Sequence, residues 1–293
     1  IVMTNGTDAP IKWTGTGNVS ALSSTPGNFK FPVSHKNKLW VAVDDFVYWS
    51  SPNDCETWDL ALDLVRFNHK GEKISGLAKF GDLIIVFQKT AIHAISGSSN
   101  RDLFSQTIIE GEGCVSGFSI KEVQSRRYGN ILVFLANDGT LKAFNGSKNL
   151  IKLGDPVQPL MSSMNTSRWA ESVALNVTEL GQYWLAMTYG AGSENDQVIV
   201  YDYLRDFYSD EKGRPLSSIL YHTNIKINAA ATFTTSNAKY FVTAGYDGFC
   251  YKQNIGLVDN GVTPIRSSWM SEKLSFNAPQ NVKLLSDFSV TTT

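Results

Sequence analysis

"ILVFLANDGTLKAFNG", residues 131–146, is the stretch on which the fold turns. An apolar run reaches a polar Asn-Asp-Gly cluster and then a shorter run that ends in Asn-Gly. Asp138-Gly139 supplies residues that tolerate a positive φ, as tight two-residue hairpins require. The stretch therefore reads as two antiparallel strands joined by a short turn. Similar turn signals stand at Gly81-Asp82, Asn195-Asp196 and Asp247-Gly248.

The same phrase recurs along the chain. It reads "LWVAVDDFVYWS" at 39–50, "LIIVFQKTAIHAISG" at 83–97, "YWLAMTYGAGSENDQVIVYDY" at 183–203 and "YFVTAGYDGFCYKQN" at 240–254. The second strands centre near 48, 93, 142, 200 and 250, a spacing of about 45–58 residues. Four-stranded propeller blades repeat at roughly this interval, whereas a β-sandwich places strands about 8–12 residues apart without a longer period. The expected fold is all-β: a β-propeller of four-stranded blades, six by this reading, with five or seven also compatible.

Expected strands include Lys38–Val43, Leu83–Gln88, Ala91–Ser96, Val115–Ile120, Ile131–Ala136, Gln197–Tyr203 and Ala229–Thr234. Helical periodicity is confined to Pro159–Asn165 and Trp58–Phe67. "VMTNGTDAPIKWTG" (2–15) reads as two strands lacking the rest of a blade, and so do "PIRSSWMSEKL" and "NVKLLSDFSV" near the other end. Together they are expected to form a composite blade that closes the ring, making residues 1–293 a single propeller domain taken from a longer protein with flanking β-rich segments.

Composition fits a large core and narrows function little. The chain of 293 residues is 42% hydrophobic and 18% charged, with a net charge of −1, so no global field favours nucleic acid or an anionic membrane. Cys55, Cys114 and Cys250 are far apart and odd in number, which fits buried thiols in a reducing compartment and neither a disulfide framework nor a zinc site. No apolar run is long enough for a membrane-spanning helix, and no signal peptide is visible. The five N-x-S/T sequons are at the level of chance in a chain rich in Asn, Ser and Thr.

"YWSSPNDCETWD" (48–59) comes close to S-x-D-x-G-x-T-W, the Asp-box turn of sialidases and other propellers, with Asn53 and Cys55 in place of its Asp and Gly. Such a turn joins the outer strands of a blade, away from any central funnel. Ser51, Asn53 and Thr57 are expected to cap backbone groups and Trp58 to pack between sheets, so that Trp58→Ala would cost roughly 3–5 kcal/mol. Catalysis does not follow from the motif. None of the eight arginines lies in the N-terminal strand motif that would begin a sialidase triad. The acidic pairs Asp44/Asp45 and Glu110/Glu112 could serve a glycosidase only at a defined separation in space. His35, His69, His93 and His222 are scattered, with no H-x-H, H-E-x-x-H or G-x-S-x-G pattern. No catalytic, cofactor-binding or metal-ligating set is expected. Lys121, Arg126 and Arg127 are weak candidates for facing nucleic acid.

The ordered phrases carry a resemblance. They include "MTNGTDAPIKWTG" (3–15), "VYWSSPNDCETWD" (47–59), "ISGLAKFGDLIIVFQKTAIHAISG" (74–97), "EGEGCVSGFSI" (110–120), "LVFLANDGTLKAFNG" (132–146), "NDQVIVYDYLRDFYS" (195–209) and "SSWMSEKLSFNAPQNVKLL" (267–285). In this order the chain resembles the β-propeller structural proteins of tailed bacteriophages and prophages, of the tail-nozzle, hub or head-completion type. Asp54-Cys55-Glu56 departs from that group's usual turn. The resemblance implies a non-enzymatic virion component, made in the bacterial cytoplasm. It would sit in the tail or head-to-tail region beside other virion proteins and ring-forming copies of itself, with DNA in the channel. The alternative expectation is a carbohydrate- or receptor-binding propeller at the tail tip that uses exposed aromatics such as Trp13, Trp49, Trp169 or Trp269; a sialidase-like hydrolase ranks below both.

Overall fold

The computed structural model describes residues 1–97, 102–154, 157–206, 219–223, 225–235, 238–253, 258–259 and 263–264. The chain divides into two compact units, Ile1–Gln253 and Asn254–Thr293. The first carries six antiparallel meanders in chain order and is a six-bladed β-propeller. Blade 1 is β1 (Val2–Met3), β2 (Ile11–Lys12) and β3 (Ser20–Ala21). Blade 2 is β4 (Lys30–His35), β5 (Lys38–Val43), β6 (Phe46–Trp49) and β7 (Leu64–Arg66). Blade 3 is β8 (Ile74–Phe80), β9 (Leu83–Gln88), β10 (Ala91–Ser96) and β11 (Phe104–Glu110). Blade 4 is β12 (Lys121–Ser125), β13 (Gly129–Leu135), β14 (Leu141–Phe144) and β15 (Ile151–Lys152). Blade 5 is β16 (Val173–Val177), β17 (Gln182–Thr188), β18 (Asn195–Asp202) and β19 (Ile219–Thr223). Blade 6 is β20 (Ala229–Thr234), β21 (Lys239–Ala244) and β22 (Cys250–Lys252). In the second unit Val258–Asp259 (β23) pairs with Thr263–Pro264 (β24).

The first strands of neighbouring blades lie together, β4 against β8, β12 against β16 and β16 against β20. They are the inner strands, and each meander runs outward from them. The two C-terminal strand phrases expected to close the ring lie outside the described residues, apart from Pro264.

The second strands of blades 2 to 5 each build two cores at once. In β9, Ile84 and Val86 enter one seam with Trp40, Val47 and Trp49 of blade 2, while Ile85 and Phe87 enter the next with Leu132, Phe134 and Phe144 of blade 4. In β13, Ile131, Val133 and Leu135 turn instead toward Tyr183, Leu185 and Ile199 of blade 5. In β17 and β18, Trp184, Val198 and Val200 face Phe241 of blade 6. Side chains alternate across a strand, so a strand buried on both faces must be apolar at nearly every position. This is why "LIIVF" and "ILVFL" read as unbroken runs rather than as alternating ones.

The strand boundaries read for Lys38–Val43, Leu83–Gln88, Ala91–Ser96 and Ala229–Thr234 recur unchanged. Val115–Ile120 is not a strand. Cys114 makes a single bridge to Ala136, and Gly117–Ser119 then forms a 3-10 turn. The hydroxyls of Ser116 and Ser119 divert this segment by donating to the carbonyls of Ser172 and Ser116, at 2.7 and 2.6 Å. Gly117 is obligatory here, because a Cβ would lie 2.4 Å from the Phe31 ring and from the Ser75 carbonyl. Asn195-Asp196 is not a turn; it begins β18 at a bulge that pairs Asn195 with Thr188. The helical reading of Pro159–Asn165 reduces to one α-turn, Gln158–Met161, followed by the 3-10 segment Thr166–Glu171. Trp58–Phe67 is not helical, because the Asp59 carboxylate accepts from the amides of Ala61 and Leu62 and turns the chain into β7.

The seams set the expected cost of truncation. Phe134 is fully buried, so Phe134→Ala should cost about 4 kcal/mol. Trp58 is only half-buried, and Trp58→Ala should cost about 2 kcal/mol, below the figure expected for a fully wedged ring. Urea unfolding of the two variants side by side checks the ranking.

Candidate functional site

The loop from Ser50 to Asp63 joins β6 to β7, the outer strands of blade 2. Ser51 N donates to Thr57 O at 2.8 Å and closes the turn, and Asn53 takes a positive φ of 60° while its amide donates to Asn37 O. The side-chain caps sit one residue away from the expected positions. The Asp54 carboxylate, rather than Asn53, accepts from Glu56 N at 2.8 Å and from Thr57 Oγ1 at 2.7 Å, and these bonds hold its pKa below the usual range. Ser50 Oγ, rather than Ser51 Oγ, accepts from Leu39 N at 3.0 Å.

This loop holds blade 1. Glu56 accepts from the Lys12 ammonium and from the amide and hydroxyl of Ser23. Those bonds pull its pKa down to about 2. Beneath it, Trp58 and Cys55 pack with Val2, Leu22, Phe29 and Val41, and the Trp58 ring lies 6.3 Å from that of Phe29.

The basic candidates do not converge. Lys121 starts β12 and Arg126 lies just past its end, about 17 Å away at the rise of an extended strand. Lys121 is half-buried and burial lowers its pKa, whereas Arg126 and Arg127 are exposed and the Arg127 guanidinium lies over the Tyr128 ring at 5.3 Å. Of the expected surface aromatics, Trp49 is core, with its ring 4.9 Å from that of Trp40. Trp13 and Trp169 are half-buried, and Trp269 lies outside the described residues.

Two of the scattered histidines meet between blades 2 and 3, in a cleft of about 340 Å³. One wall is the segment 66–69 at the end of β7; the other is His93 of β10 with Ser105, Gln106, Thr107 and Glu110 of β11. A bulge between Ile92 and His93 shifts the register, setting His93 opposite Thr107. The buried Gln88 amide donates to the carbonyls of Phe67 at 2.9 Å and Glu72 at 2.6 Å, so its oxygen faces His93 Nε2 at 2.8 Å. Nε2 must therefore carry the proton, and Nδ1 accepts from Thr107 Oγ1 at 3.0 Å. Burial, with the nearby His69, lowers the His93 pKa to about 4, so the ring is neutral near pH 7. The His69 ring stands edge-on, 6.2 Å from that of His93, and its buried Nε2 has no hydrogen-bond partner among the described residues. No sequence motif marks this cluster, since its members are set by a bulge and by two blades.

Three of the four residues in the acidic pairs bind cations of their own. Asp44 binds Lys73 at 2.8 Å and Asp45 binds Arg66 at 2.7 Å. Glu112 binds the buried Lys142 at 3.1 Å, which also binds Asp138 at 2.6 Å. Burial pulls the Lys142 pKa down, but the two carboxylates outweigh it and the net shift is upward. Asp138 also accepts from Thr140 N and Oγ1, which makes Asp138-Gly139 a hairpin turn braced from below.

No family model matches the chain, and no curated protein matches its sequence. Among solved structures, the chain is similar to the N-terminal domain of Nup159, at 10% identity and a TM-score of 0.43, covering 78% of this chain and 61% of that one. It is also similar to the extracellular domain of a one-component system from B. thetaiotaomicron, at 11% identity and a TM-score of 0.43, covering 88% of this chain and 32% of that one. The chain thus spans less than two thirds of either structure, and neither likeness bears on its activity.

Two pH responses follow. The Glu56 pKa is depressed in the folded chain, so its contribution is complete above its ordinary value of 4.5 and is lost as pH falls toward about 2. Protection factors for the amides of residues 2–21 should fall over that window in the wild type, and Glu56→Gln should show the lower factors already at pH 6. His93 is likewise depressed, but it is a base: between its ordinary value of 6.5 and about 4 only the unfolded chain takes up the proton, so stability falls as pH drops through that range. His93→Asn should flatten this part of a plot of urea midpoint against pH.

Proposed function

We propose that this chain is a non-enzymatic structural module of a tailed-phage or prophage particle, placed in the tail or head-to-tail region around the DNA channel. The ordered phrases from "MTNGTDAPIKWTG" to "SSWMSEKLSFNAPQNVKLL" carry the reading. The fold suits the role: radial repetition leaves only short sheet edges, which limits stray strand pairing in a crowded assembly. Its loops can then differ between partners without altering the blades.

The fate of the acidic residues supports the non-enzymatic part. Asp44, Asp45 and Glu112 are each engaged in an ion pair with a different lysine or arginine, which favours a structural role for them. Its partners are other virion proteins, copies of itself and channel DNA.

Particles induced from the source strain and purified by density gradient should contain the chain at a fixed ratio to the other tail proteins, measured by quantitative mass spectrometry. The purified chain should turn over no sialoside or other glycoside. Absence from particles refutes the assembly role, and clear turnover refutes the non-enzymatic one.

A further inference from the structure

The cleft between blades 2 and 3 is lined with polar groups. Arg66 gives its Nε to Asp45 and lays its guanidinium over the Phe46 ring at 5.3 Å, with the terminal nitrogens of its fork outside that ion pair. The amides of Asn68 and Gln106 and the carboxylate of Glu110 belong to exposed residues. His69 lines the same cleft, with its Nε2 buried and without a hydrogen-bond partner among the described residues.

We propose that this cleft is a binding site for a neutral polyhydroxyl ligand, a mono- or disaccharide. The wall offers donors at Arg66, an acceptor at Glu110, and both at Asn68 and Gln106. A hydroxyl group donates and accepts at once, so a ligand that carries several of them meets such a mixed set. A free anion fits poorly, because Glu110 opposes it and the neutral His93 gives it no charge. An apolar ligand fits worse, since the one large apolar side chain of the lining, Phe67, is itself buried under His93 with the rings 4.8 Å apart. The volume of about 340 Å³ admits one or two sugar rings.

The rigid part of the site is the clamp behind it. Gln88 ties His93 to the backbone of Phe67 and Glu72, and Glu72 in turn accepts from Thr90 N and Oγ1, both at 2.8 Å. The two walls are thereby fixed to one another before a ligand arrives, which lowers the ordering cost of binding. The proposal concerns the flank of two blades and stands independently of any role in a particle.

Saturation-transfer NMR and titration calorimetry on the whole chain test it, with glucose, galactose, mannose, N-acetylglucosamine, lactose and maltose as probes. N-acetylneuraminate and inorganic phosphate serve as anionic comparators. At least one neutral sugar should bind saturably. Glu110→Gln and Gln106→Ala, both at exposed positions, should each weaken it by about tenfold, the value of one hydrogen bond to a charged or amide group, while circular dichroism and urea midpoint stay unchanged. Binding of the anions alone, neutral-sugar binding that survives both substitutions, or no saturable binding of any probe would each overturn the proposal.

Discussion

The structure depends on one constraint: a strand in the middle of a blade must be buried on both faces. β9, β13 and the β17–β18 pair each send alternate side chains into the seams on either side. No blade owns a core. Each apolar residue of the repeat is therefore doubly determined, by its own sheet's register and by the packing of the adjacent sheet. A one-residue slip in β13 would exchange the sets Ile131, Val133, Leu135 and Leu132, Phe134, Ala136 between seams, spoiling two cores together.

That constraint explains what the sequence makes legible. The apolar runs and their spacing disclose blades because two-sided burial leaves no room for polar residues along the middle strands. The Asp-Gly and Gly-Asp turns are equally plain, since Gly81 and Gly139 take φ values of 58° and 75° that other residues adopt reluctantly. Where local hydrogen bonding competes with the ladder, the text misleads. "CVSGFSI" is apolar enough for a strand, but its two serine hydroxyls bind nearby carbonyls and fold it into a 3-10 turn. The 51–58 turn was legible as a blade turn, yet its side-chain caps fall on Ser50 and Asp54, because Asn53 is used for its backbone conformation instead.

The cleft was hardly legible at all. His69 and His93 are 24 positions apart by number, and their meeting depends on a bulge in β10–β11 and on the stacking of two blades. No periodicity encodes either. Gln88, the residue that fixes the His93 proton, ends an apolar strand and looks in the sequence like an ordinary strand terminus. Its meaning appears only with the Phe67 and Glu72 carbonyls beside it. The basic residues show the converse: Lys121, Arg126 and Arg127 are close in sequence, but an extended strand between them separates what a helix would have gathered.

Shared seams also bear on how the chain emerges from the ribosome. Blades appear in chain order, and each new one covers the face that its predecessor has just exposed. At any moment the growing chain displays only its two end faces, those of the first and the newest blade, instead of the whole core at once. Its hazard for aggregation during synthesis is therefore set by two sheet faces and does not grow with the length of the protein.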